Sequence, residues 1–406
     1  MRVSTAFNRM LALPGATVVG VRFDPIGVVV ELRLRARRLR CPCGWSTRAR
    51  YDSSRRRWRH LDAGGCRLWL EAEIRRLYCR RCQRVVTEEV PWARPGAWHS
   101  RDFEDVVAWL AQRTDKTTIA RLLRCSWKAV DHIIRRVVAD HLDAARLEGL
   151  FRIGVDEISY KRGHYYLTVV ADHDSGRVVW VAKGKRGQAL QAFYDALGPE
   201  GRDRIEAVSM DLGTIYRDAT RRSVPDAVIC FDPFHVIQLA NRALDLALSA
   251  SRHGADGSIT GAQWRAARAV LRAGAERLDY RQRQLLAAFR RTRRRVFRAW
   301  ELKEDLRDLY QYVPVDSARA YLKRWITAAL RSRIPAFINL ARQIRHNFDG
   351  IIAAVELDLS NSRLEGINGK IRLIQRRGYG YHSVDALAAS IYLCLGGITI
   401  QLPTRP

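Results

Sequence analysis

Four acidic residues and four cysteines are the side chains of this sequence whose types and spacing could do chemistry. The run Phe151-Arg152-Ile153-Gly154-Val155-Asp156-Glu157 carries an apolar strand, Phe151 to Val155, straight into an acid. A later strand, Ile205 to Met210, ends on Asp211. The order of strands and helices between them makes these two strands neighbours in a mixed sheet, with both carboxylates projecting at one edge. Such a pair can share a divalent ion, because hard cations prefer oxygen ligands. A third carboxylate from a helix crossing that edge would complete a site for two ions roughly 4 Å apart. Glu365, in Asn361-Ser362-Arg363-Leu364-Glu365-Gly366-Ile367-Asn368-Gly369-Lys370, fits that description. Asp232, in Phe231-Asp232-Pro233-Phe234-His235-Val236, is the rival of Asp211. It ranks lower because the strand before Asp211 takes the more central place in the sheet. His235 is read either as a positioning residue behind the carboxylates or as a core histidine. Each acid alone has a plainer reading, since an Asp ending a strand often forms a turn or caps a helix.

The cysteines suggest a second metal. Cys41-Pro42-Cys43-Gly44 is followed by Cys79-Arg80-Arg81-Cys82 across a hairpin-sized insert. Two close pairs of thiolates, each from one tight turn, are what a closed tetrahedral zinc site needs. The expected role is structural, with Cys66 and His60 as substitutes for one ligand. The plainer alternative is four buried thiols. Between residues 31 and 60 there are 11 Arg and only two acids, Glu31 and Asp52, interleaved with Trp45, Tyr51 and Trp58. That composition suits a phosphate-binding face.

Several elements must position these groups. The chain has 406 residues, 47% apolar and 28% charged, which is enough for several packed domains. Lys plus Arg number 71 against 42 acids, for a formal charge of +29. A folded chain this basic points to a polyanionic partner, nucleic acid first and an anionic membrane second, and away from small-molecule metabolism. Residues 1–95 read as a zinc-binding basic module, with Pro91 and Pro95 marking a linker. Residues 96–150 read as a helix-turn-helix: helices at Phe103–Arg113 and Thr117–Arg124, a turn at Cys125-Ser126, then a third helix. That third helix turns Lys128, Asp131, His132 and Arg135 outward, and a plain three-helix linker is the alternative. Residues 151–232 alternate strands with helices. Residues 233–350 are helical without a convincing strand. Residues 351–406 return as helices, with Lys370, Arg372, Arg376 and Arg377 placed where a DNA backbone could approach. The stretch Arg281–Arg298 holds eight Arg and no acid, so Arg294 is expected to grip DNA unless this is only a solvated face. The longest uncharged run, Ala386–Thr404, is interrupted by Gly396, Gly397 and Pro403 and reads as a packed helix, not a membrane span. With no secretory pattern in the first twenty residues, a cytoplasmic location with reduced thiols is expected.

In this order the blocks resemble the ISL-three family of insertion-sequence transposases, members of the DDE group. The resemblance rests on the Cys pairs, the helix-turn-helix, Gly154-Val155-Asp156-Glu157, Val208-Ser209-Met210-Asp211, Asp232-Pro233-Phe234-His235-Val236 and Asn361 to Ile371. The closing Arg376-Arg377-Gly378-Tyr379-Gly380-Tyr381 is similar to the family's basic-aromatic segment. One departure is the single-residue spacer in the first Cys pair, where the family usually has two. The resemblance implies a multi-domain α/β plus α architecture: a zinc module, a helix-turn-helix, and a ribonuclease-H-like catalytic domain interrupted by a helical insertion. It places the acid triad on Asp156, Asp211 and Glu365, holding two Mg²⁺ ions for which Mn²⁺ can substitute, with structural Zn²⁺ elsewhere. The implied partners are the element's terminal inverted repeats and target DNA, bound by a dimer, and no membrane. A zinc and helix-turn-helix regulator without chemistry is the competing expectation.

Overall fold

The structure is a computed structural model, and it describes residues 2–403 apart from 162, 164, 185–186, 252, 255–256, 259–260 and 382. The chain divides into two compact units: the residues up to Leu142 together with those from Ile374 onward, and Asp143–Leu373.

The first unit opens with helix α1 (Val3–Leu11) and strands β1 (Ala16–Asp24), β2 (Gly27–Leu34), β3 (Leu39–Arg40), β4 (Ser46–Thr47), β5 (Asp52–Ala63), β6 (Cys66–Cys79) and β7 (Arg84–Thr87). Five of them form one sheet in the order β1-β2-β6-β5, with β7 on the end of β6. Its apolar face buries Val28, Val30 and Leu32 from β2 against Trp58, Leu68, Leu70 and Ile74. Sequence positions two apart share a face, so the period-2 pattern of β2 and β6 becomes one core layer. Trp92 packs edge-on against Trp58 at 5.6 Å between ring centres. The stretch expected to be a linker is therefore packed: Trp92, Ala93 and Arg94 are all buried.

Helices α2 (Arg101–Ala111), α3 (Lys116–Leu122) and α4 (Trp127–His141) follow. Each starts on a side-chain cap from Ser100, Asp115 or Ser126 that accepts a hydrogen bond from a free backbone N–H. Phe103, Val107, Ile119, Val130, Ile133 and Val137 form their core. Ala389, Leu393, Ile398 and Ile400 complete it. Residues from 374 onward thus fold with the helix-turn-helix, whereas the sequence assigned 351–406 to the catalytic part. The cause is the apolar face of the last helix, which packs into this bundle through Ala389 and Leu393.

The second unit contains strands β8 (Arg152–Lys161), β9 (Tyr165–Asp172) and β10 (Val178–Lys183), helix α5 (Gly187–Asp203), β11 (Ala207–Met210), α6 (Thr214–Ser223) and β12 (Val228–Phe231). The sheet order is β10-β9-β8-β11-β12. The first three strands are antiparallel, and β11 runs parallel to both β8 and β12. Strand β8 does not stop at Val155. Its ladder with β9 continues through Asp156↔Val169 to Lys161↔Tyr165, so Asp156 lies within the strand.

Helix α7 (Pro233–Ala250) is followed by two-residue strands β13 (His253–Gly254) and β14 (Gly257–Ser258), a short pairing that the sequence did not suggest. Then come α8 (Gly261–Arg272), α9 (Tyr280–Thr292), α10 (Arg294–Gln311), α11 (Val315–Leu330), α12 (Pro335–His346) and α13 (Phe348–Glu356). Val208 and Met210 of the sheet share one apolar core with Leu302, Leu306, Trp325 and Phe337 of these helices. Helix α14 (Ser362–Arg377) and α15 (Val384–Leu395) close the chain. Among the described residues no helix is long and apolar enough to cross a membrane.

Candidate active site

The ladders set the acids in a row. Ser209 of β11 pairs with Gly154 of β8, and Met210 pairs with Phe231 of β12. Continuing the first register by two residues sets Asp211 beside Asp156; continuing the second by one sets it beside Asp232. Three carboxylates thus end up level on three adjacent parallel strands. The sequence pattern contained this row, with β11 in the middle as expected.

Their surroundings differ. The Asp156 carboxylate accepts hydrogen bonds from the Glu157 N–H at 2.7 Å and from Asn368 Nδ2 at 2.5 Å. Burial, then repulsion from Asp211, pushes its acid up to about 6. Asp232 is 2% exposed and has one partner on each oxygen: the Asn361 N–H at 3.0 Å and His235 Nδ1 at 2.8 Å. His235 Nδ1 also lies 2.8 Å from Asp211 Oδ1, but its one hydrogen is directed at Asp232. Asp211 Oδ1 is left buried without a donor. Burial alone would lower the His235 imidazolium, yet the Asp211 and Asp232 carboxylates outweigh it and hold the acid up at about 10. His235 Nδ1 thus lies between the Asp211 and Asp232 carboxylates, 2.8 Å from each.

Glu365 comes from α14. That helix contains Gly366 and Gly369, each costing about 1 kcal/mol of helix propensity. It is held by a buried stripe, Leu364, Ile367, Ile371 and Ile374. Leu364 seats directly over Gly154: a Cβ built there would lie 2.2 Å from Leu364 Cδ1 and 2.9 Å from His173 Nε2. Gly154 and Asp156 share one face of β8, and Leu364 and Asn368 share one face of α14. The same crossing that needs a glycine thus delivers the Asn368 amide to Asp156. Glu365 is exposed, and partial burial and the nearby Asp232 and Asp211 carboxylates raise its acid. Asp211, Asp232 and His235 form the tightest group, their ligand atoms within 4.8 Å; Asp156 and Glu365 stand outside it.

Sequence reasoning gave no role to Asn368, Asn361, Ser209 or His173. Ser209 Oγ donates to Asn361 Oδ1 at 2.5 Å and lies 2.6 Å from His173 Nε2. The available signal was the spacing 361, 365, 368, a polar stripe on a helix otherwise buried through aliphatic residues. Gly154→Val should cost about 1–3 kcal/mol through overpacking, and should slow DNA cleavage about a hundredfold through misplacement of α14. Thermal unfolding and a cleavage time course measure both. Cleavage at the normal rate would show that the seating of α14 is irrelevant to the chemistry.

The donor sets fit metals. A buried Asp211 oxygen without a hydrogen-bond donor, beside an Asp156 acid raised by burial and then by Asp211, supplies oxygen ligands suited to a hard divalent ion. In the first unit Cys41, Cys43, Cys79 and Cys82 gather with all sulfurs within 4.8 Å. Cys41 Sγ lies 3.9 Å from Cys82 Sγ, and Cys43 Sγ lies 3.6 Å from Cys79 Sγ. A tetrahedron with Zn–S near 2.3 Å requires sulfurs about 3.8 Å apart. The single-residue spacer is accommodated by a tight turn in which the Gly44 N–H donates to the Cys41 carbonyl at 2.9 Å. Cys66 is exposed outside the group, and His60 Nδ1 faces Ser100 Oγ at 2.7 Å, so neither substitutes.

Of the residues expected to face DNA, Lys128, His132, Arg294, Lys370, Arg372 and Arg376 are exposed. Two are not free. Arg135 is half-buried, donating to Asp131 at 2.9 Å and Ser383 Oγ at 3.1 Å. Arg377 donates to the Gln112 and Ala111 carbonyls at 2.7 and 2.8 Å, satisfying the end of α2. Asp131, also expected outward, is half-buried and paired with Lys116.

A level row of carboxylates on adjacent parallel strands, in a chain that also folds a four-thiol knuckle and a helix-turn-helix, is the design of a DDE transposase. Comparison with known families gives three consecutive matches. Residues 43–82 match the zinc-finger of transposases IS204/IS1001/IS1096/IS1165, residues 88–138 the helix-turn-helix domain of transposase family ISL3, and residues 153–391 that family's DDE transposase domain. The chain belongs to the ISL3 transposase family. The transposase for insertion sequence element IS1557 of Mycobacterium tuberculosis is 38% identical, covering all of this chain and 98% of its own length. The transposase for insertion sequence element IS1001 of Bordetella parapertussis is 27% identical over 84% of this chain and 85% of its own length.

Proposed function

We propose that this transposase binds the terminal inverted repeats of an insertion sequence, cleaves a strand at the element's end, and joins the freed 3′-hydroxyl to target DNA. The row Asp156, Asp211, Asp232 with the orphaned Asp211 oxygen carries this reading. Asp156, Asp211 and Glu365 are the proposed ligands of two Mg²⁺ ions, with Mn²⁺ as a substitute, and Asp232 and His235 stand behind them. Bound divalent ions would supply an activated water or hydroxyl and stabilise the leaving oxygen. The protein's own part is positional. Asn368 fixes the Asp156 carboxylate, Asn361 and His235 fix Asp232, and Gly154 lets α14 approach. The exposed Lys128, His132, Arg294, Lys370, Arg372 and Arg376 are proposed DNA contacts.

The proposed organisation is a zinc module (1–95), a helix-turn-helix (96–150) whose core is completed by residues from 374 onward, and a ribonuclease-H-like domain (151–232 and 351–373) carrying residues 233–350 as a helical insertion. The order β10-β9-β8-β11-β12 supports that fold. The protein is proposed to act as a dimer on DNA in the bacterial cytoplasm. The test is a labelled duplex joining the terminal repeat to flanking DNA. Cleavage at the junction should require Mg²⁺ or Mn²⁺ and disappear in EDTA. Ca²⁺ should permit binding without cleavage, because its looser coordination misplaces the attacking oxygen. Tight, repeat-specific binding with no cleavage in any metal would instead support a regulator.

A further inference from the structure

The turn after α14 presents one aromatic ring to solvent with both flanks clamped. Tyr379 is 90% exposed and stands at φ +51°, in the left-handed region, without being a glycine. Its N–H donates to the Arg376 carbonyl at 3.1 Å, and the Gly380 N–H donates to Gln375 at 3.1 Å. Before it, Arg377 is tied to the end of α2. After it, Tyr381 packs against the Lys116 ammonium, 5.3 Å from the ring centre. That ammonium also lies over Trp127, the first residue of α4. Gly378 must be small, since a Cβ there would meet the Tyr381 ring at 2.7 Å.

Beneath this turn lies a cavity of about 90 Å³ lined by Trp127, Asp131 and Arg135 of α4 and by Gly378, Gly380 and Tyr381. Residues 127, 131 and 135 form one face of α4, so the turn flanks the recognition helix beside the face carrying Lys128 and His132. A non-glycine residue with positive φ costs about 1 kcal/mol or more. The two hydrogen bonds that close the end of α14 offset that cost at the backbone, while the ring itself stays in solvent. Arg376, exposed three residues earlier, supplies charge for a phosphate beside it.

We propose that Tyr379 is a base-contacting residue: the turn at 378–381 extends the reading surface of α4, and the Tyr379 ring stacks on a nucleobase of the bound element end. The assignment rests on the end-binding function proposed above. Stacking needs an exposed, rigidly held π-face and tolerates the loss of the hydroxyl.

The experiment uses the full-length protein and terminal-repeat duplexes with 2-aminopurine placed at successive positions. Wild type should change the fluorescence at one or two neighbouring positions. Tyr379→Phe should reproduce that change, and Tyr379→Ala should abolish it and weaken binding about tenfold. The salt slope should stay the same, because no charge is removed. Tyr379→Gly should raise the melting temperature by relieving the backbone while binding falls as in the Ala variant, opposite signs that a structural role would not give. Wild-type fluorescence changes that persist in Tyr379→Ala, or a Phe variant as impaired as Ala, would overturn the proposal. Failure of the wild type to prefer terminal-repeat DNA would instead remove the end-binding reading itself.

Discussion

Asp156→Asn and Asp211→Asn should each reduce strand cleavage by at least about a thousandfold, the loss expected when a ligand of catalytic ions is neutralised. Binding to end DNA should stay within about twofold, because the phosphate contacts come from the basic modules. Asn preserves shape, so the effect isolates charge. Glu365→Gln should behave alike. Asp232→Asn is the discriminating control. Its carboxylate is already engaged by Asn361 and His235, so its loss should lower stability and only partly reduce cleavage. A dead Asp232→Asn beside an active Asp211→Asn would move the second ligand to Asp232. The readouts are a single-turnover cleavage assay and a gel-shift titration on the same duplex.

Stripping zinc should have the second largest effect. One Cys pair comes from the β3–β4 turn before the β5–β6 hairpin and the other from the end of β6 and the turn after it. The small core under them has Leu39, Leu77 and the buried Cys41 and Cys79, with Trp45 and Val86 against it. Structural zinc supplies on the order of 10 kcal/mol to such a site. Elemental analysis should find about one zinc per chain, which is what four thiolates hold. Cys79→Ser should lose it and open residues 37–90 to protease, while the α2–α4 core keeps its helicity. Cys66→Ser should keep both zinc and fold. Zinc retained in Cys43→Ser would show that the tetrahedron is built from other ligands.

Much of this site was legible because strands and acids are local patterns. The apolar runs before Asp156, Asp211 and Asp232 announced strands, and the order of strands and helices between the first two made them neighbours in a mixed sheet. What could not be read was contact between distant segments. Gly154 looks like an unfavourable strand residue until Leu364 is seen above it. Arg377 looks like a phosphate ligand until the free carbonyls of α2 are seen. The extent of β8 was misjudged for the same reason: an acid in a strand reads as its end unless a partner strand carries the ladder on. Arg135 joins these cases, because its partner Ser383 is 248 residues away in sequence.

Arg94 has a consequence for how such proteins can be taken apart or recombined. It is 3% exposed and bonds at 3.2, 2.7 and 2.7 Å to Glu104, Asp105 and Asp140, with Arg136 also on Glu104. Its backbone lies before α2, within the segment 88–138 that matches the helix-turn-helix domain, and its partner carboxylates lie on α2 and α4. A cut at residue 95 would leave a fully buried Glu104 with only Arg136 to answer it, and breaking a buried pair typically costs about 3–5 kcal/mol. A chimera joined after residue 94 therefore inherits a stranded charge, whereas one joined between residues 82 and 88 keeps Arg94 on the same segment as Glu104 and Asp105.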